Sequence, residues 1–169
     1  MQFNILLYIN SGQIIINEFQ LKELTYTWQI LNKIMQSNDL KDWLEIEECV
    51  KILVEKIQLT GKQFKAIYTI SRGGLVPARL VADRLNIRLV LVDEETIPDE
   101  ALFVDDIYDT GETFRKITPR VENTESLVYA TLFARRKQHY PKQLIYAKLT
   151  KDSEYIVFPW DRFERGFTD

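Results

Sequence analysis

The stretch Leu102 to Phe114 reads LFVDDIYDTGETF. An apolar run meets two acids, Asp105 and Asp106, and a third, Asp109, leads into a turn of Thr110, Gly111, Glu112 and Thr113. Two opposed chemistries stand side by side. Carboxylates can hold a cation, accept hydrogen bonds from hydroxyls, or act as a general base within reach of a proton. Successive backbone N–H groups in the turn, with the Thr110 and Thr113 hydroxyls, can surround an anion, and the N-terminus of the following helix adds to the attraction. Gly111 lets the backbone come close.

The two chemistries conflict unless something reconciles them. Acids repel a bound phosphate. Magnesium between them, or a sugar presenting hydroxyl donors, removes the repulsion. A ligand with both a phosphate and a diol, a phosphorylated ribose, satisfies every group. The plainer reading is an Asp-Thr-Gly helix cap with solvated acids, and a short motif alone does not decide between the two.

The elements that must position these residues are read from periodicity. Two β-rich runs within residues 3–19, separated by Asn10-Ser11-Gly12-Gln13, predict a hairpin. Leu24, Trp28, Leu31, Ile34 and Met35 recur at helical spacing over 21–36, and Val50, Leu53, Val54 and Ile57 do so over 46–57, with Gly61 just beyond. FKAIYTI (64–70) reads as a strand, SRGGL as a turn, and VPARLVADRLNI (76–87) as a helix with Pro77 near its start. RLVLVD (88–93) and ALFVDD (101–106) are further strands, the second placing Asp105 and Asp106 at a strand end, where ligands of open α/β sheets bind. ETFRKITPRV (112–121) reads as a helix that Pro119 stops or kinks, and SLVYATLFA (126–134) and QLIYAKL (143–149) as strands. The order implies an α/β fold with a largely parallel central sheet flanked by helices.

The chain has 169 residues, a size for one compact domain, and its 46% apolar and 28% charged residues suit a globular protein with a core. A net charge of −3 argues against a nucleic-acid binder driven by phosphate contacts. The single cysteine, Cys49, allows no internal disulfide and fits a reducing cytoplasm, with a buried apolar role for its side chain. No apolar run reaches the length of a membrane span, and MQFNILLYIN has neither the basic start nor the cleavage site of a signal peptide. His139, the only histidine, sits in RRKQHYPK without a Cys/His cluster and reads as a surface residue in a solvated basic run.

VDDIYDTGET resembles the phosphoribosyl-pyrophosphate (PRPP) motif of type I phosphoribosyltransferases. AIYTISRGGLVPARLVADRLNI (66–87) is similar to the strand–loop–helix of bacterial xanthine–guanine phosphoribosyltransferases, most closely in SRGGLVP, and the similarity continues more weakly through ATLFARR and YIVFPWD. It spans roughly Lys41 to Asp161, so residues 1–40 read as a hairpin-and-helix addition and 41–169 as the phosphoribosyltransferase domain.

The resemblance implies transfer of a 5-phosphoribosyl group from PRPP to a purine base, with release of pyrophosphate, as in nucleotide salvage. It implies Ser71, Arg72, Gly73 and Gly74 as the pyrophosphate loop, where glycines permit close approach and an arginine can hold the anion bidentately. Asp105 and Asp106 would hold the ribose hydroxyls and Mg²⁺. Thr110, Gly111, Glu112 and Thr113 would cradle the 5′-phosphate, and Asp109 would be the general base near N7 of the purine. Arg135 stands where relatives carry a lysine that reads the purine 6-oxo group, and Tyr155, beside Ile156, where a tryptophan stacks on the base. These three form the implied base pocket, and the two substitutions leave the accepted base open. A homo-oligomer, dimer or tetramer, is the expected assembly.

One departure is larger. Relatives carry a mobile lid between the strands matching RLVLVD and ALFVDD, and only EETIPDE (94–100) remains here. Two readings follow: a phosphoribosyltransferase, or a regulatory protein of the same fold that binds PRPP or a nucleotide without turnover.

Overall fold

The computed structural model describes residues 8–10, 13–15, 26, 38–136, 139–150 and 155–161. Strands β1 (Tyr8–Asn10) and β2 (Gln13–Ile15) pair antiparallel with Asn10 opposite Gln13, the hairpin that the turn residues between them predict. The helix expected over 21–36 lies outside the described residues apart from Tyr26, which is helical. Strand β3 (Asn38–Leu40) follows.

Helix α1 (Trp43–Gln58) begins one turn earlier than its apolar stripe suggests. The Asp42 carboxylate caps it, accepting the Glu45 amide at 2.8 Å, and so replaces a hydrogen bond the first turn lacks. Its buried face carries Ile46, Cys49, Val50, Leu53, Val54 and Ile57. Burial raises the Cys49 thiol to about 11, so it stays protonated and packs as an apolar group.

Strand β4 (Ala66–Thr69), helix α2 (Leu75–Leu85) and strand β5 (Leu89–Val92) form the first parallel crossover. Asn86, in the left-handed region at φ 56°, ends α2. Strand β6 (Leu102–Tyr108) leads to the short helix α3 (Glu112–Ile117), and Pro119 falls in a 3₁₀ turn over Thr118–Arg120, so the helix stops there rather than kinking. Strands β7 (Val128–Arg135) and β8 (Leu144–Thr150) complete the sheet, and β9 (Tyr155–Val157) pairs with β3 instead.

The five central strands run in the order β5-β4-β6-β7-β8, every neighbouring pair parallel. Alternation along β6 separates two cores. Leu102 and Val104 join Ile67, Val128, Ala130 and Leu132 under α1 and α2. Phe103 turns the other way and joins Tyr108, Ile117, Leu127 and Tyr129. Phe103 lies opposite Tyr129 in the ladder and their rings stack with centroids 5.4 Å apart. The strand order makes β4 and β6 neighbours, which sets the two sequence motifs side by side at the carboxyl edge. No helix among the described residues is long and apolar enough to cross a membrane.

Candidate active site

Strand β6 does not end at the acid pair. It continues to Tyr108, so Asp105 and Asp106 lie within the strand and the turn starts after it. This corrects the sequence-based boundary: the ladder to β7 pairs Asp105 with Thr131 and Ile107 with Phe133, and the paired backbone holds the acids extended despite their poor strand propensity.

Asp105 is 2% exposed. The Tyr129 hydroxyl donates to its Oδ2 at 2.9 Å, the Asp106 amide to its Oδ1 at 2.9 Å, and Thr113 hydrogen-bonds its side chain. Burial still raises the Asp105 carboxyl above the usual carboxylate range, with these donors pulling it back. Asp106 is raised well above that range by burial and then by the Asp105 charge beside it. The Ile107 amide donates to its Oδ1 at 2.6 Å. Tyr129 itself is pushed well above the ordinary phenol range by burial and by the Asp105 charge, so its hydroxyl keeps its proton and remains a donor.

The loop after β4 comes against this pair. A Cβ on Gly73 would stand 2.7 Å from Asp106 Oδ2, and the residue sits at φ +83°. A Cβ on Gly74 would overlap Thr69 Oγ1 and come within 3.0 Å of the Val104 carbonyl. Thr69 Oγ1 donates to that same carbonyl at 2.7 Å, bonding β4 to β6 directly below the loop. The Ser71 amide donates to Asp93 Oδ1 at 3.3 Å, away from the acids.

The turn after β6 is tied down independently. Gly111 has φ +78°, and a Cβ there would lie 2.6 Å from the Tyr108 hydroxyl. Arg115 donates to the Thr110 carbonyl at 3.2 Å, and the Glu112 amide to Thr110 Oγ1 at 3.3 Å.

Between these loops lies a cavity of about 340 Å³. Arg72, Gly73, Asp105, Asp106, Asp109, Thr110, Gly111, Glu112, Thr113 and Tyr155 line it. Ser71, Gly74, Arg135 and Ile156 stand outside that lining. Gly74 is buried beneath the loop, and Ile156, 4% exposed, faces the core. Arg135 joins the site through Asp109: its Nε donates to Asp109 Oδ1 at 2.7 Å. Lys116, Tyr129 and Asp161 also line the cavity, and sequence reasoning does not find them. Lys116 follows Glu112 by one helical turn and pairs with it at 2.7 Å, a spacing visible in the sequence; Tyr129 and Asp161 reach the cavity only through the fold.

The segment 94–100 is bound to the body. Ile97 is buried; its amide donates to the Arg120 carbonyl at 2.8 Å and its carbonyl accepts from the Glu122 amide at 2.9 Å. Arg120 also donates to the Glu94 carbonyl at 3.4 Å.

Over 140 residues, 70% of this chain and 84% of the relative, the sequence is 30% identical to a xanthine-guanine phosphoribosyltransferase of Idiomarina loihiensis. The chain belongs to the xanthine–guanine phosphoribosyltransferase family. The enzyme of the same name from Chromohalobacter salexigens is also 30% identical, over 70% of this chain and 81% of its own. A purine phosphoribosyltransferase structure from Pyrococcus horikoshii shares the fold at a TM-score of 0.58 and 22% identity, covering 73% of this chain and 93% of its own. No protein-family model matches the chain.

Proposed function

We propose that the protein is a pentosyltransferase that moves the 5-phosphoribosyl group of PRPP to a purine base and releases pyrophosphate, in nucleotide salvage. One observation carries the reading: two segments more than thirty residues apart in sequence, Ser71–Gly74 and Asp105–Thr113, meet so closely that Gly73 has no room for a Cβ against Asp106.

The ligand's parts map onto the cavity. The N–H groups of Thr110–Thr113 cradle the 5′-phosphate. Arg72 and the Gly73 backbone receive the pyrophosphate, with Ser71 and Gly74 shaping the loop. Asp105 and Asp106 accept the two ribose hydroxyls. Asp109 accepts the proton at N7 of the purine as a second ring nitrogen attacks, with Arg135, Tyr155 and the backbone of Ile156 on the base side. The new bond forms between that second nitrogen and the anomeric carbon as the carbon–pyrophosphate bond breaks, through a transition state of oxocarbenium character.

The cavity lining holds Asp105, Asp106, Asp109, Glu112 and Asp161 against Arg72 and Lys116. A polyanionic ligand needs further positive charge, so Mg²⁺ fits here. Asp105 and Asp106 would hold it, and when bound it would neutralise charge on the departing pyrophosphate. We place the reaction in the cytoplasm, in a dimer or tetramer. Residues 41–169 would form its catalytic domain, and residues 1–40 an addition joined to it where β3 pairs with β9.

The test is pyrophosphate release from Mg·PRPP across a panel of purine and pyrimidine bases. The reading expects sustained release with a 6-oxopurine. PRPP binding without release for any base would leave a binding protein rather than an enzyme.

A further inference from the structure

The last paired positions of β6 and β7 are Tyr108 and Ala134. Asp109 and Arg135 are the next residue in each chain segment, so the parallel ladder delivers both to one level of the carboxyl edge. There Arg135 Nε lies 2.7 Å from Asp109 Oδ1. The arginine side chain is 14% exposed and the aspartate 47%, so the cation is the anchored member and the carboxylate the one that faces outward. The Tyr140 hydroxyl donates to the Arg135 carbonyl at 2.8 Å and fixes the strand end that carries it.

We infer that Arg135 is a positioning residue for Asp109: its guanidinium fixes the carboxylate that meets the incoming base, so the two residues act as one unit. The inference rests on the proposed transfer and deepens it, assigning Arg135 a task beyond a direct contact with the base. The chemistry suits arginine. Its planar fork stays charged and presents N–H donors in a fixed geometry that matches a carboxylate. The bond engages Asp109 Oδ1, and the half-exposed carboxylate lines the cavity that receives the base. Swinging the carboxylate away would break a charge-assisted bond to a largely buried cation.

Arg135→Gln, Asp109→Asn and the double variant test this by calorimetric binding of a free 6-oxopurine base, hypoxanthine, alongside turnover. Each single change should weaken binding by about tenfold, and the double by about the same, well short of the hundredfold product expected of independent sites. In turnover, Arg135→Gln should lower kcat and leave the KM for PRPP unchanged, and Arg135→Lys should recover most of the loss. Losses that multiply, or a PRPP KM that rises with the fall in kcat, would overturn the inference. Coupled losses in a protein that releases no pyrophosphate would sink the proposed transfer and leave the pairing standing. A wild type that binds no free base would sink both.

Discussion

The two ends of the cleft are built from different materials. At the proposed phosphoribosyl end, backbone and glycine do the shaping: Gly73 against Asp106, Gly74 against Thr69 and the Val104 carbonyl, Gly111 against Tyr108. At the proposed base end, side chains do it: the Arg135–Asp109 pair and Tyr155, which is 53% exposed. Close backbone packing leaves no substitution that keeps the shape. A pocket walled by half-exposed side chains can exchange lysine for arginine or tryptophan for tyrosine and keep a donor and an aromatic face. The difference sets how readily each end tolerates substitution.

Small changes should therefore break the first end and only tune the second. Gly74→Ala forces a methyl group into Thr69 and the β6 backbone, and overpacking of this kind costs about 2–3 kcal/mol. Thermal unfolding should show the midpoint falling by roughly 5–10 °C for a chain of this length. An unchanged midpoint would mean that the loop is not packed on β6 as described. Tyr155→Ala removes a stacking face worth about 1 kcal/mol at an exposed site, so the KM for the base should rise about fivefold with the KM for PRPP unmoved. A rise in both would erase the distinction between the two ends.

The same contrast explains what is legible in the sequence. The SRGG and DDIYDTGET segments are local, and each carries its turn chemistry in consecutive residues, so the order of residues is enough to place both. The end of β6 is not legible, because two aspartates read as the close of a strand until the β7 ladder is known to continue past them. The early start of α1 is hidden because its apolar stripe begins well after the Asp42 cap. The β3–β9 pairing joins three-residue strands more than a hundred positions apart, which no local periodicity encodes. Tyr129 reaches Asp105 from a neighbouring strand, and the short segment at the lid position is held down through Ile97 by backbone bonds to Arg120 and Glu122.

The central claim is that the acid pair and the two loops form one PRPP site, and the acid pair gives it a distinctive signature. Asp106 has a raised folded pKa, so its ionisation opposes folding and that cost grows as pH rises through the ordinary carboxylate range towards the raised value. Asp106→Asn should then melt above wild type at pH 8 without ligand, with the gain shrinking as pH falls and the wild-type carboxyl takes up its proton. The decisive measurement is the melting temperature of both proteins with and without Mg·PRPP. At about a hundred times Kd, the wild type should rise by roughly 5–10 °C, and Asp106→Asn, despite its higher starting point, should not respond. No wild-type shift at saturating Mg·PRPP, or an equal shift in both proteins, would contradict the account.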